Sequence, residues 1–365
     1  MSKIDPDLNK LKEEVNGKSI LSTKMISYSI LTVVFVATSF LSLLFVYHVF
    51  ADNTSFINMK MFSYKAMIQI AILLLLYFSF NVLRLFYILK TLGIFIDIKY
   101  IFKLVFINIF ISNITPSAGG GGFAQIYFLN KRGVSVVNAI ASTTIRTILS
   151  MMFFLVSTPI VIIFNRNLLN LFTSNGSLLL ALILIFFYAA IVYFVYKAAY
   201  NPKIIKRIVY IILKLLVMKN ILSSNNSKKI RKKTFKEINN FSKSFITYLN
   251  GNRKYIFLSI IFTILFLLSL FSFVIIFLKE LGYDISPLTT IALQIMISFI
   301  TYFAPTPGAT GIAEGGFTLV FSNFVNKSDI VSLTFAWRFF TIYVGMLLGM
   351  VFFYLELIKK PSIKK

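Results

Sequence analysis

The stretch ITPSAGGGGFAQIYFLNKRG, residues 114–133, decides how this chain reads. A proline and four consecutive glycines interrupt an apolar region here, leaving segments on either side that are too short to be ordinary membrane spans. A second stretch of the same design lies downstream. From Pro116 the chain reads PSAGGGGFAQ and from Pro305 it reads PTPGATGIAE, so both follow P-x-x-G-x-x-G-x-A-[QE]. A Leu-Gly pair precedes each proline by 24 residues (Leu92-Gly93 and Leu281-Gly282), and an arginine inside an apolar helix follows at 30 residues (Arg146) and at 33 residues (Arg338). One glycine-rich loop recurs easily by chance. Several spaced features recurring in one order read as an internal duplication.

Composition sets the class. Of 365 residues 58% are hydrophobic and 41 are Phe, well above the roughly 45–50% apolar content of soluble domains, so the chain reads as an all-α polytopic membrane protein. The net charge is +25, from 37 Lys and Arg against 12 Asp and Glu. A balance so basic suggests nucleic acid in a soluble protein. Here the charge lies in tails and loops beside apolar spans, where basic residues mark the cytoplasmic side and attract anionic lipid. The absence of cysteine excludes disulfides, thiolate catalysis and Cys-ligated metal. Residues 1–24 are polar over too long a run and lack a small-residue cleavage site, so they read as a cytoplasmic tail and not a signal peptide.

Six complete spans are expected, near 25–50, 66–89, 135–163, 177–198, 255–278 and 330–357, by the rule of about 20 apolar residues per crossing. Residues 100–130 and 287–325 are apolar but broken at the Pro/Gly motifs, with arms of roughly 15–18 residues, too short to cross. Irregular backbone at membrane depth is tolerated only where it is buried or faces a wet cavity, so each reads as a re-entrant helix pair. Lys90, Lys99, Lys103, Lys131 and Arg132 flank the first pair, whereas Glu280, Asp284 and Asp329 flank the second, which orients the two halves oppositely. The resulting organisation is a cytoplasmic tail at 1–24, a first membrane half at 25–200 with its motif at 114–133, and a basic cytoplasmic linker at 201–254. A second half follows at 255–358 with its motif at 303–317, then a basic cytoplasmic tail at 359–365. The linker holds fourteen Lys or Arg against one acid, Glu237. Its segment PKIIKRIVYIILKLLVMK, 202–219, reads either as an in-plane helix on anionic lipid or as a linker that only fixes topology.

The chemistry expected of this chain is binding rather than catalysis. His48 stands at the end of the first span, no Ser/His/Asp set or metal cluster is recognisable, and GGGG at 119–122 lacks the Gly-Lys-Ser/Thr of a phosphate loop, so no catalytic residue, metal or cofactor is expected. Arg146 and Arg338 lie a third to halfway along their spans. A charge at that depth is costly and must face an interior cavity or a partner. Guanidinium forks suit phosphate oxygens, and a broken helix offers backbone N–H groups at the start of its next arm. The expected headgroup site is therefore Arg146 with Gly119, Gly120, Gly122 and Gln125, and Arg338 with Gly308, Gly311 and Glu314. The alternatives are that glycine only permits a tight turn and that Glu314 simply pairs with Arg338. Arg84, close to Asn81 near the inner end of its span, is expected to snorkel to the interface.

These motifs resemble those of the lysylphosphatidylglycerol synthase membrane-domain family, the flippase half of the bacterial multiple-peptide-resistance factor. The likeness rests on ITPSAGGGGFAQIYFLNKRG with Arg146 and on FAPTPGATGIAEGGF with Arg338, and runs from about residue 25 to residue 358. The resemblance implies an inner-membrane translocator of aminoacylated phosphatidylglycerol or a related lipid, contributing to resistance against cationic antimicrobial peptides. It implies anionic or aminoacylated phospholipids as partners, while the basic residues of both tails read as cytoplasmic termini. Full-length members carry a cytosolic aminoacyltransferase domain after the membrane domain, and this chain stops at Lys365. The expectation is that it does not transfer lysine alone, a separate synthase being the implied partner. The alternative, from the family's own label, is a phosphatidylglycerol lysyltransferase or its accessory subunit, which would also engage lysyl-tRNA.

Overall fold

The computed structural model describes residues 58–164, 201–218, 223–302 and 304–358, with scattered helical positions between 29 and 48 and between 186 and 200. The spans expected at 25–50 and 177–198 lie largely outside the described residues, and both charged tails lie wholly outside them. Regular structure among the described residues is entirely helical. Long apolar helices fall where hydropathy places them: α1 (Tyr64–Thr91), α4 (Val136–Phe164) and α7 (Arg253–Glu280). A composite span completes this set, running from α10 (Lys327–Arg338) through a π-helical turn at Phe339–Tyr343 into α11 (Val344–Ile358). The chain is an all-α integral membrane protein.

Each broken region is a helical hairpin. The first consists of α2 (Ile98–Ile114), a tight turn at Pro116–Ala118 and α3 (Gly119–Lys131). Its arms of 17 and 13 residues fall short of the roughly 20 needed to cross. They run antiparallel, because the Tyr100 hydroxyl donates to the Phe128 carbonyl near the open end while Asn108 Nδ2 donates to the Gly121 carbonyl near the tip. The second hairpin is α8 (Pro287–Thr301), a turn at Pro307–Ala309 and α9 (Ile312–Phe321). The two turns pack against each other, so the hairpin tips meet, with residues 116–119 left exposed there. Both turns need positive φ, at Ser117, Ala118, Gly308 and Ala309. This backbone match sets Pro116-Ser-Ala against Pro307-Gly-Ala, two residues later than the motif's own register of Pro116 on Pro305.

The repeated Leu-Gly pairs prove to be helix stops. Gly93 at φ 72° and Gly282 at φ 85° end α1 and α7 in the left-handed region that glycine reaches without strain. The amides of Ile94 and Tyr283 close the same six-residue hydrogen bonds back to Leu89 and Leu278.

Equivalent helices of the two halves, α1 and α7, lie side by side and antiparallel. Ser63 Oγ donates to Glu280 Oε2 at one end, and the Tyr87 ring lies 6.0 Å from Tyr255 at the other. Tyr77 stacks on Phe266 between them, at 5.0 Å and 23°. Those two residues are 189 positions apart, the spacing of Pro116 from Pro305. Two equivalent residues in mutual contact mark a pseudo-two-fold axis, and antiparallel equivalents are what an inverted repeat requires. The halves also exchange helices, since α11 packs on α2 of the first half and α4 packs on α8 of the second. Between α1, α7 and the second hairpin lies an aromatic core that includes Phe271, Phe273, Phe277, Phe317 and Phe321.

The basic region 201–254 folds as two helices packed on each other, α5 (Pro202–Met218) and α6 (Ser224–Leu249). On α5, Ile208, Ile211, Ile212 and Leu215 stay exposed between the basic positions. Ser244 Oγ donates to Asn138 Oδ1 of α4, and the Tyr248 and Ser259 hydroxyls hydrogen-bond, which fixes α6 against the bundle.

Gly345 and Gly349 form a small-xxx-small pair that lets α11 approach α2 closely. A Cβ at Gly349 would collide with the Phe106 carbonyl and would stand 2.8 Å from the Phe110 Cβ, whereas one at Gly119 would meet nothing within 4 Å. Gly349→Leu is therefore expected to destabilise the protein by about 1–3 kcal/mol through overpacking, and Gly119→Ala by less than ~0.5 kcal/mol. Thermal melting of the purified protein in detergent reads both, and equal effects from the two changes would contradict this packing.

Candidate functional site

On α1, Asn81 and Arg84 stand one turn apart on the same face, and on α4, Arg146 and Ser150 do the same. The first hairpin adds Gln125 from α3. These groups meet in one buried centre. Arg146 Nη1 donates to Gln125 Oε1 at 2.7 Å, and Arg146 Nη2 donates to Asn81 Oδ1 at 2.8 Å. Arg84 Nε donates to the same Asn81 oxygen at 2.9 Å, and Arg84 Nη1 donates to Ser150 Oγ at 3.2 Å. The Arg84 guanidinium also sits 4.0 Å from the centroid of the Phe266 ring. Gln125 Nε2 is oriented by Thr143 Oγ1 at 3.0 Å.

Two guanidinium groups thus share one neutral carbonyl oxygen, with relative exposures of only 6% for Arg84 and 7% for Arg146. The ion pairs among the described residues are Arg132–Glu356 and Arg338–Glu314, so no carboxylate neutralises this centre. Arg146 Nε is buried with no hydrogen-bond partner. Removing an ion from water costs several kcal/mol unless a counter-charge and hydrogen bonds offset it. The arrangement leaves two positive charges and a free donor for an anion to satisfy.

The second centre is closed. Arg338 Nε donates to Glu314 Oε1 at 2.6 Å, and Arg338 Nη2 donates to the Gly308 carbonyl at 3.0 Å. The other carboxylate oxygen, Glu314 Oε2, accepts the Gly311 amide at 2.7 Å. Glu314 is fully buried and Arg338 is 3% exposed, so the pair is dry and formally neutral. Arg338 also lies 5.3 Å from the Trp337 ring, which stacks on Phe317. Adjacent helix positions do not ordinarily face each other. The helix widens into its π turn immediately after Arg338, a local irregularity often found at functional positions.

The expected site residues therefore divide between the two centres. Gln125 and Glu314 play one structural role, each accepting from its own arginine, and they differ in charge. Among the glycines, Gly120 gives its amide to Thr115 Oγ1 at 3.0 Å, and Gly311 gives its amide to Glu314. Gly308 supplies its carbonyl to Arg338, Gly122 rests beside Thr143, and Gly119 simply opens α3. Gly121 packs most closely, against Ser112 and the Asn108 carbonyl. The buried cations, rather than the glycine amides, carry the unsatisfied charge of the first centre.

One expectation is corrected. Arg84 does not snorkel to the interface but lies buried and bonded to Asn81 and Ser150, because the polar face of α1 turns inward toward α4. The i, i+3 spacing of Asn81 and Arg84 is the available signal. Glu356 is a further buried charge, and it was not among the expected site residues. It is 3% exposed at the end of α11, with Oε1 3.8 Å from Arg132, while its carbonyl accepts Lys131 Nζ at 2.6 Å.

The fold and centres define an integral membrane protein built as an inverted helical repeat, with ionised groups at membrane depth. The chain belongs to the family described as lysylphosphatidylglycerol synthase TM region, whose model matches residues 30–349. It is also similar to a UPF0104 membrane protein of Archaeoglobus fulgidus, with 24% identity over 276 residues that cover 75% of this chain and 81% of the relative. Family membership supports a lipid-related role in a membrane.

If the Arg338–Glu314 pair is a closed, neutral unit, Glu314→Gln leaves an uncompensated buried cation and lowers stability by about 3–5 kcal/mol. The double change Glu314→Leu with Arg338→Leu should recover most of that loss. Thermal unfolding of the three proteins tests this, and a single variant as stable as the parent would refute the pairing's role.

Proposed function

We propose that this protein is a phospholipid translocator of the inner, cytoplasmic membrane, with both termini cytoplasmic, and that the Arg84–Arg146 centre holds the lipid phosphate in transit. The observation that carries this reading is the pair of buried guanidinium groups with no carboxylate. A phosphate diester supplies the missing negative charge and presents oxygens suited to guanidinium donors. Inverted halves whose hairpin tips meet each other suit alternating access around a central site. The lipid class follows from the family, which favours phosphatidylglycerol or its aminoacylated forms. Their ammonium group would find its counterpart at Glu314, once that residue exchanges Arg338 for the lipid. Moving the aminoacylated forms outward lowers negative surface charge, which is how the protein would contribute to cationic antimicrobial peptide resistance. The amphipathic α5 and basic α6 would rest on the anionic cytoplasmic leaflet.

The family description also favours a second reading, in which the chain is the membrane part of a phosphatidylglycerol lysyltransferase or serves one as a subunit. Purified protein given lysyl-tRNA and phosphatidylglycerol would then form lysylated lipid.

Leaflet exchange separates these. Liposomes holding the purified protein and head-labelled phosphatidylglycerol, or its lysyl form, are exposed to an impermeant quencher. Exchange faster than in empty liposomes is expected, falling about tenfold or more in Arg84→Ala and in Arg146→Ala, in line with losing a charged hydrogen-bond partner. Exchange at the parent rate in both folded variants would refute the assignment.

A further inference from the structure

Hydroxyl groups inside helices usually bond back to the carbonyl one turn earlier. On α4, Thr147 and Ser150 do so, to Thr143 and Arg146. Further along the same helix, Ser157 Oγ and Thr158 Oγ1 are buried and have no partner at all. Neither amide atom of Gln294 on α8 has one either, although that residue is only 1% exposed. These two helices pack on each other, with Phe154 touching Tyr302 at 6.1 Å.

Their direction places the orphaned groups on the same half of the bundle. Helix α8 starts beside the end of α7 that carries Glu280 and runs inward to Tyr302. Helix α4 starts at the opposite end, where Asn138 is held by α6, and finishes on the Glu280 side. Ser157 and Thr158 thus lie about 16 Å beyond Arg146 at 1.5 Å per residue, on the half of the bundle that α8 enters. An unsatisfied buried polar group costs roughly 1–3 kcal/mol, so these groups are expensive unless water or a ligand reaches them. Arg146 Nε, also unpartnered, lies about 16 Å further along the same helix toward its start.

We propose that Ser157, Thr158 and Gln294 form a hydrated polar station between α4 and α8, through which a phospholipid headgroup passes between Arg146 and the Glu280 face of the membrane. This rests on the translocator reading and adds the route on one side of it. Neutral hydroxyl and carboxamide groups suit that task, because they replace headgroup water without holding the phosphate as tightly as the paired arginines do.

The cysteine-free chain permits a clean test. Ser157→Cys, Thr158→Cys and Gln294→Cys are treated in liposomes with a charged, impermeant maleimide, beside the buried apolar controls Ala141→Cys and Ala292→Cys. Thiolate forms only where water reaches, so labelling about tenfold faster than in the controls is expected. In parallel, Gln294→Leu removes the unsatisfied amide. It should raise the melting temperature yet slow lipid exchange by about tenfold, comparable to losing a polar transition contact. Control-level labelling at all three positions, or parent-rate exchange in folded Gln294→Leu, overturns the station. If Arg146→Ala still abolishes exchange in that case, the phosphate centre stands without this route. If Arg146→Ala exchanges at the parent rate, the translocator reading itself falls.

Discussion

A charge held away from water must find an opposite charge or be supplied with one. Each half of this protein buries an arginine against a broken hairpin, and the two halves answer that constraint differently. Arg338 meets Glu314, whose second oxygen is taken by the Gly311 amide, so the site is complete within the chain. Arg146 meets Gln125 and Asn81, which are neutral, and Arg84 adds a second cation on the same Asn81 oxygen. An amide standing where the other half has a carboxylate, together with one extra arginine, leaves one centre at two positive charges and the other at none.

The scaffold makes that contrast usable. Proline and glycine end the hairpin arms where the turns pack on each other, and the arms bring Gln125 and Glu314 within reach of the following spans. The antiparallel contact of α1 with α7, centred on Tyr77 and Phe266, places the two halves in opposite orientations. Gly345 and Gly349 let α11 press on α2, so each hairpin is clamped by a helix from the other half. The ionised groups are therefore fixed by packing from several helices, which preorganises them for a ligand.

Much of this is legible in the amino-acid sequence. The duplicated motif marks the repeat, the short arms mark the hairpins, and the Leu-Gly pairs prove to be matching helix stops. Hydropathy locates the spans at 66–89, 135–163, 255–278 and 330–357. What the sequence leaves hidden are properties of side-chain direction. Arg84 lies near a helix end, where snorkelling is the ordinary outcome, and only the inward turn of its face toward Ser150 shows otherwise. The glycine amides read as free donors, because the local bonds from Gly120 to Thr115 and from Gly311 to Glu314 depend on turn geometry. The two-residue offset between motif register and turn register arises in the same way, since backbone conformation follows Pro116-Ser-Ala and Pro307-Gly-Ala. Ser157, Thr158 and Gln294 look like ordinary helix residues in sequence and become notable only through missing partners.

The central claim is that the first centre is an anion site because it lacks a carboxylate, and Gln125→Glu tests it most directly. That substitution gives Arg146 the partner Arg338 already has, with almost no change of shape. Binding of phosphatidylglycerol to the purified protein, measured by titration in neutral detergent, should weaken by about tenfold or more, equivalent to about 1.4 kcal/mol, while the melting temperature holds or rises. Unchanged affinity in a folded Gln125→Glu protein would contradict the account.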